Sequence, residues 1–255
     1  MSLSDPSALR PFLDKLVSRS HLGADERRAI LDLPAHPAQV QTNRDFVRLG
    51  ERVDHASFVV EGLVGRFGQN REGNRQITAI HITTDMVDLH SVVAPEACSA
   101  LQALAVTTIL RVPLVALRAA ARAFPAIAEA FWRECVVDAA VLAEWIVNVG
   151  RRDARSRLSH LLCEVACRSG GLDGKGGLAF PFPATQNHIA DMTGLTPVHV
   201  NRSLQALKHD GVVELHNRMI HIFDWDRLTR IGDFDPDYLH LAGPGGSAVN
   251  RMAMA

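Results

Sequence analysis

Cysteine is scarce in this sequence. Only four cysteines occur among its 255 residues, too few and too scattered for the disulfide framework of a small secreted domain. Uninterrupted apolar runs are short, so the sequence predicts no membrane-spanning helix, and the first 20 residues lack the apolar segment of a signal peptide. These absences favour a soluble protein of the reducing cytoplasm.

An excess of charge of one sign is also lacking. The formal net charge of −1 excludes a uniformly basic nucleic-acid coat, but a local basic surface is compatible with it because steering depends on where the charges lie. Apolar residues, by contrast, are plentiful. With 47% hydrophobic and 22% charged residues, the chain is not disordered throughout, and its length suits one large domain or two modest ones.

Residues 1–124 combine two short helical patterns with a strand-rich region. Over 6–33, apolar residues recur at helical spacing, and acidic residues open the second segment. From 34 to 113, short β-branched runs are separated by glycines and by a hairpin-type loop at 70–74. Many short strands at this spacing favour an antiparallel barrel or roll.

A long helix is predicted next. Pro125 suits the start of a helix, and from 126 to 149 neither glycine nor proline occurs. Apolar residues follow this helix in steps of three and four, and so long a stripe needs a partner surface along its length. The periodicity leaves two interpretations open, a helix buried in the monomer or one paired with its own copy in a dimer. The predicted dimer contacts are Phe131, Trp132, Cys135, Ala139, Leu142 and Ile146.

Residues 183–222 carry the pattern of a winged helix-turn-helix. Thr185 is predicted to cap a short helix over 186–192, and Thr196 and Pro197 to start a second helix that ends before Gly211. Two strands then flank a polar tip that contains Arg218. No aspartate or glutamate occurs from Thr196 to His209, which suits a helix that lies close to phosphates in the major groove.

The order of these parts resembles the Crp/Fnr family of bacterial transcription regulators over about residues 10–240. The motifs that carry the resemblance are Leu195–Gln205 with Gly211–Val213, then Arg152–Leu162 and Phe234–Leu239. The resemblance implies an α+β chain with an N-terminal cyclic-nucleotide-binding-like β-roll. It implies a sensor domain over 1–124, a dimerisation helix over 125–150, a winged helix-turn-helix DNA-binding domain over 151–242 and a disordered tail over 243–255.

The resemblance also implies which residues contact DNA. By its place in the motif, Arg202 matches the family's base-reading arginine. A guanidinium suits this role because it can donate two hydrogen bonds to guanine. The alternative for Arg202, His199 and Lys208 is a solvated surface side chain. Val198 stands where many members carry an acidic residue, so we expect a different half-site. The predicted DNA contacts are Thr185, Gln186, Thr196, His199, Asn201, Arg202, Lys208 and Arg218.

The sensor half departs from cyclic-nucleotide-binding members, which clamp the ligand with a Gly-Glu pair and a downstream arginine. Leu89 occupies the glutamate position, and no lysine or arginine occurs between Arg75 and Arg111. A buried phosphate without a cation is poorly stabilised, so we expect no cAMP binding of the usual kind. An atypical ligand in the roll remains possible, and no other cofactor is predicted.

Metal chemistry is weakly indicated. No cysteine precedes Cys98, so the N-terminal cysteine group of iron–sulfur relatives is absent and such a cluster is not expected. His160, Cys163 and Cys167 share a helix face and could bind a metal or sense oxidants, but small buried thiols are the simpler interpretation. Haem is conceivable, although no spacing selects one histidine among His21, His36, His55, His81 and His90.

Three classes of function can be compared. The favoured one is a homodimeric, sequence-specific transcription regulator that reads pseudo-palindromic DNA, is gated by an unknown signal in the β-roll and contacts RNA polymerase. The alternative is a small-molecule-binding sensor module without direct DNA binding, which leaves the acid-free helix unexplained. An enzyme is not expected, because the sequence carries no nucleophile–base motif, phosphate loop or two-element metal signature. No membrane partner is expected.

Overall fold

The computed structural model describes residues 8–170 and 178–241. The predicted tail over 243–255 lies outside these described residues. The helices are α1 Arg10–Arg19, α2 Ala24–Leu31, α3 Leu114–Ala123, α4 Pro125–Arg151, α5 Ala154–Ser169, α6 Gln186–Thr193, α7 Pro197–His209 and α8 Trp225–Gly232, with 3-10 turns at Leu89–Val92 and Pro236–Leu239. The strands are β1 His36–Val40, β2 Arg44–Val47, β3 His55–Glu61, β4 Val64–Gln69, β5 Arg75–His81, β6 Met86–Val87, β7 Ala100–Ala103, β8 Thr107–Pro113, β9 Leu178–Pro181, β10 Val213–His216 and β11 Met219–Ile222.

The chain divides into two compact units. The first unit comprises residues 8–66 and 81–140 with the described residues from Leu239 onward, and the second comprises 67–80 and 141–238. The distal part of the β4–β5 hairpin therefore clusters with the C-terminal unit, which the sequence did not predict. Helix α4 continues through the expected boundary at Gly150 and ends at Arg151.

The strand-rich region forms the predicted antiparallel roll. Its strands build two four-stranded sheets in the orders β1-β8-β3-β6 and β2-β7-β4-β5. In the first unit, the core gathers side chains from α1, the sheets, α3 and the start of α4. Phe12 of α1 lies at its centre, with its ring centroid 6.1 Å from that of Phe58 and 6.2 Å from that of Phe131. Such pairs stabilise beyond the area that they bury.

A buried polar network joins the helices of the second unit. Glu164 of α5 is fully buried, and its carboxylate accepts hydrogen bonds from the Trp145 indole at 2.7 Å, the Tyr238 hydroxyl at 2.9 Å and Arg168 at 2.8 Å. A buried carboxylate needs such donors because an unpaired charge is costly in an apolar interior. The network fixes α4, α5 and the C-terminal segment to one another within this unit.

Among residues 8–170 and 178–241, no helix is both long and apolar enough to cross a bilayer.

Candidate nucleic-acid interface

Helix α6 begins with a reciprocal cap. The Thr185 hydroxyl accepts a hydrogen bond from the His188 amide at 3.2 Å, and His188 Nδ1 accepts one from the Thr185 amide at 3.3 Å. This capping box satisfies two amides that the first turn leaves unpaired. At the other end, Gly194 adopts φ 63° and lets the chain turn sharply. The cap that the sequence predicted at Thr185 is confirmed.

Helix α7 starts as predicted. The Thr196 hydroxyl accepts a hydrogen bond from the His199 amide at 3.3 Å, and Pro197 is the first helical residue. One face of α7 is buried in the second unit and consists of Val200, Ser203, Leu204 and Leu207. The opposite face is exposed, as a recognition helix in the major groove requires.

Arg202 lies on the exposed face of α7. Within residues 8–170 and 178–241, no hydrogen bond or ion pair holds its guanidinium. Its five donors are therefore available to an outside acceptor. Gln205, one turn further along, and Val198, one turn before, are exposed on the same face.

Two carboxylates near the C-terminal end of α7 each pair with a cation. Asp210 at its C-terminal end pairs with Arg155, and these contacts, with a further one to Arg227 at 3.4 Å, lower the pKa of that carboxyl. Glu214 of β10 pairs with Lys208 at 2.5 Å, and this hydrogen bond lowers the pKa of Glu214. The negative charge around the helix is thereby balanced, which reduces repulsion of an approaching phosphate.

The wing is a two-residue hairpin. Strands β10 and β11 pair from His216 and Met219 outward, and β9 extends the sheet on the far side of β11. Asn217 and Arg218 at the tip have φ of 51° and 61°, the left-handed conformation that the favoured hairpin turn requires. Asparagine tolerates this conformation better than arginine does. The turn presents the exposed Arg218 side chain at the tip of the wing.

All eight predicted DNA contacts are exposed and belong to the second unit. They lie at the start of α6, along α7 and on the wing. Lys208 differs from Arg202 because its charge is already paired with Glu214. Val198 and Gln205 were not among the predicted contacts. The signal that could have identified them is their spacing, because residues three and four positions from Arg202 share its helix face.

Helix α4 has two distinct faces. The first buries side chains within the chain, and it includes Phe131, which is only 4% exposed and packs in the core of the first unit. The predicted dimer contact at Phe131 is therefore wrong, because the residue is already covered by its own chain. The second face is exposed and follows alternating steps of four and three residues, and it consists of Trp132, Val136, Ala139, Ala143 and Ile146.

The other predicted dimer contacts are less covered. Ala139 is exposed with Trp132 and Ile146, whereas Cys135 and Leu142 are half-buried at the edge of the exposed face. Steps of four and three match the seam of a coiled coil. We call Trp132, Val136, Ala139, Ala143 and Ile146 the α4 seam.

A cation that the sequence reasoning missed lies in the roll. Arg66 of β4 donates to the Asp88 carboxylate at 2.6 Å and to the Ser99 hydroxyl at 2.9 Å. These two partners belong to the stretches that correspond to the family's nucleotide clamp. The absence of arginine between positions 75 and 111 does not leave the region without a cation, because a neighbouring strand supplies one. The Asp88 carboxylate nevertheless neutralises this charge.

The helix face that carries His160 is occupied by structural contacts. His160 Nδ1 lies 3.1 Å from the Gly232 carbonyl oxygen, and Nε2 lies 3.2 Å from the Tyr238 hydroxyl. Burial raises the pKa of Cys167 to about 12 and that of Cys163 well above its ordinary value, so both thiols stay protonated. In the described ranges, no three histidine, cysteine or acidic side chains are placed to hold a metal ion.

The β4–β5 hairpin contacts the helix-turn-helix within the second unit. Gln76 Nε2 donates to the carbonyl oxygens of Asp191 at 2.6 Å and of Met192 at 3.2 Å, near the end of α6. Arg75 Nε lies 3.3 Å from the Asp191 carboxylate. Arg168 of α5 donates to the Ile80 carbonyl oxygen at 2.9 Å. This hairpin is therefore fixed against α5 and α6.

Comparison with known proteins agrees with these features. Residues 156–231 match the family model described as a Crp-like helix-turn-helix domain. The chain is 26% identical to the transcriptional activator protein FnrL of Cereibacter sphaeroides over 218 residues, which is 83% of this chain and 86% of that protein. The nitrogen fixation regulation protein FixK of Azorhizobium caulinodans is 25% identical over 196 residues, covering 76% of this chain and 78% of FixK.

Among solved structures, FixK2 from Bradyrhizobium japonicum superposes with a TM-score of 0.70 at 26% identity, covering 78% of this chain and 98% of that one. A CooA mutant from Carboxydothermus hydrogenoformans has the same fold, with a TM-score of 0.63 at 21% identity, covering 78% of this chain and 88% of that one. Residues 156–231 thus form a Crp-like helix-turn-helix domain, and the chain that carries it is similar over most of its length to Crp/Fnr-type transcription regulators.

Proposed function

We propose that the chain acts as a homodimer that reads a pseudo-palindromic DNA site, with α7 of each copy in the major groove. The observation that carries the proposal is the exposed, acid-free face of α7, at whose centre Arg202 has no partner among the described residues 8–170 and 178–241. Arg202 contacts a base edge, and Thr196, His199 and Asn201 contact neighbouring bases or phosphates. Thr185 and Gln186 at the start of α6 contact the DNA backbone, as does Arg218 on the wing.

The contact of Arg202 sets the specificity at one position of each half-site. A guanidinium that donates to both guanine O6 and N7 is worth about 1–3 kcal/mol of discrimination, or about 5- to 150-fold in affinity. Lys208 contributes less to specificity, because it first has to leave Glu214 and its charge is already balanced. Its role is a phosphate contact near the end of α7.

The α4 seam supports the dimer. Apolar side chains that are exposed in steps of four and three along one helix are covered when the helix pairs with its own copy. Such pairing places two recognition helices about one DNA turn apart, near 34 Å. The same arrangement makes the DNA site two-fold symmetric.

Gating by a signal in the roll is part of the proposal. The β4–β5 hairpin, whose distal part holds α5 and α6 through Gln76 and Arg168, is the segment that would transmit it. A signal changes DNA affinity only if it stabilises one arrangement of the dimer over another. The regulator acts in the cytoplasm, and RNA polymerase is the proposed partner at the promoter.

The proposal is tested by selecting random duplex DNA with the wild-type protein and with Arg202→Ala. The matched control is Arg230→Ala, which removes an exposed arginine on α8 of the same unit. We expect a two-fold-symmetric motif for the wild type and the control. The Arg202 variant is expected to lose preference at one base pair in each half.

Two outcomes would count against the proposal. An identical motif for Arg202→Ala and the wild type removes Arg202 from base reading. A wild-type protein that enriches no motif, either alone or with the small-molecule fraction of a cell extract, contradicts direct DNA reading.

A further inference from the structure

A cavity lies within the first unit. Arg66, Asp88 and Ser99 do not line it, although Nε2 of the lining residue His90 lies 4.0 Å from the Asp88 carboxylate. The cavity volume is about 590 Å³, in the range of small-molecule sites. The walls come from the segment around the 3-10 turn Leu89–Val92, from α3 and from the first half of α4. Most lining side chains are apolar, among them Val92, Phe131 and Trp132.

The polar part of the lining is positively charged. Arg52, Arg118 and Arg122 line the cavity, whereas none of its lining residues is acidic. Arg118 is held by the Val92 carbonyl oxygen, to which Nη2 donates at 2.6 Å. Arg52 and Arg122 are exposed, and their guanidinium groups have no ion pair or hydrogen bond within residues 8–170 and 178–241.

The remaining polar groups carry no charge at neutral pH. Burial lowers the pKa of His90, although Asp88 opposes this effect. Burial also raises the pKa of Cys135 to about 11, so its thiol stays protonated and adds to the apolar wall. The cavity thus combines a cationic group of arginines with an otherwise uncharged lining.

We propose that this cavity binds a small amphipathic anion, a molecule with one carboxylate on an apolar body. The carboxylate pairs with Arg52 and Arg122, since guanidinium groups match carboxylates in charge and geometry. The apolar body lies against Val92, Phe131 and Trp132. Charge complementarity selects this class over neutral or cationic amphiphiles of the same size.

The position of the cavity connects the ligand to the dimer. Trp132 belongs to the α4 seam and also lines the cavity, while the neighbouring Phe131 lines the cavity and lies in the core of the first unit. An occupant that contacts both residues stabilises one rotamer of Trp132 and so changes the seam. This consequence rests on the proposed dimer, whereas binding itself does not.

Binding is tested by calorimetry on the full chain without DNA, with decanoate and with decylammonium as probes. The two probes share an apolar chain and differ in the sign of the head group. We expect decanoate to bind once per chain and at least about ten times more tightly than decylammonium. The variant Arg52→Gln/Arg122→Gln is expected to weaken decanoate about tenfold.

Two matched controls separate the site from general effects. Arg71→Gln removes an exposed arginine outside the cavity and should leave decanoate binding unchanged. Ala128→Trp fills the cavity and should abolish binding, whereas Ala123→Trp, on an exposed position of α3 outside the lining, should not.

Several results would overturn the proposal. The first is equal affinity for both probes, and the second is no binding of decanoate. The third is an equal change in decanoate affinity for the Arg52→Gln/Arg122→Gln variant and for Arg71→Gln. Loss of decanoate binding as the protein dimerises would show that the second copy fills the cavity. Because no DNA is present, failure here leaves the DNA-reading proposal to its own test.

Discussion

Replacing Ile146 by alanine tests the α4 seam quantitatively. Ile146 is 74% exposed in the single chain, so a partner helix would remove most of its side chain from water. Burying an isoleucine side chain contributes about 1.5–3 kcal/mol, and an alanine at the same position would bury only part of that apolar area. We therefore expect a loss of about 1.5 kcal/mol per chain and about 3 kcal/mol per dimer.

A loss of that size corresponds to a rise of about 100-fold in the dimer dissociation constant. Sedimentation velocity over a concentration series measures it. The matched control is Val115→Ala, because Val115 is 73% exposed on α3 and lies off the seam. If the Ile146→Ala and Val115→Ala dimers have the same dissociation constant, the α4 seam is not a dimer interface. The same conclusion follows if the wild type is monomeric at all concentrations.

Two further predictions concern the second unit. His188 Nδ1 accepts a hydrogen bond only when unprotonated, and burial lowers the His188 pKa below the ordinary 6.5. The folded state therefore binds fewer protons, and its stability is present above pH 6.5 and lost as the pH falls below it, by at most about 1.4 kcal/mol per pH unit. The variant His188→Gln keeps an acceptor for the Thr185 amide but cannot titrate in this range. In urea unfolding, its free energy of unfolding should fall less between pH 7.5 and 5.5 than that of the wild type. An equal fall in both proteins would contradict the role of neutral His188 in the cap. Gly232→Ala would place a Cβ 2.8 Å from the His160 amide nitrogen, and it should cost about 1–3 kcal/mol of stability. Thermal unfolding beside Gly68→Ala, whose Cβ meets open space, measures this cost, and equal melting temperatures would refute it.

The helix-turn-helix was predictable because its signals are local. Thr185, Thr196 and Pro197 mark helix starts through bonds within three residues, and Gly194 marks the turn by its backbone conformation. The short helices α1 and α2 followed from apolar spacing for the same reason. The absence of aspartate and glutamate from Thr196 to His209 indicated the face of α7 that lies toward phosphates.

The features that the sequence did not predict depend on contacts between distant segments. Arg66 meets Asp88 and Ser99 only because the roll brings β4 beside them, and a local window of sequence cannot reveal that. Helix α4 is apolar on both its buried and its exposed faces, so one stripe in the sequence merged two surfaces. Phe131 was assigned to the wrong face for that reason.

The spacing of the two half-sites tests the central claim most directly. The measurement is the affinity of the wild-type protein for its selected site and for the same site with five base pairs inserted between the halves. Five base pairs are about half a helical turn, so the insertion turns one half-site to the opposite side of the duplex. A symmetric dimer predicts a fall in affinity to the level of a single half-site. Equal affinity for both duplexes would contradict a dimer that reads two half-sites through paired recognition helices.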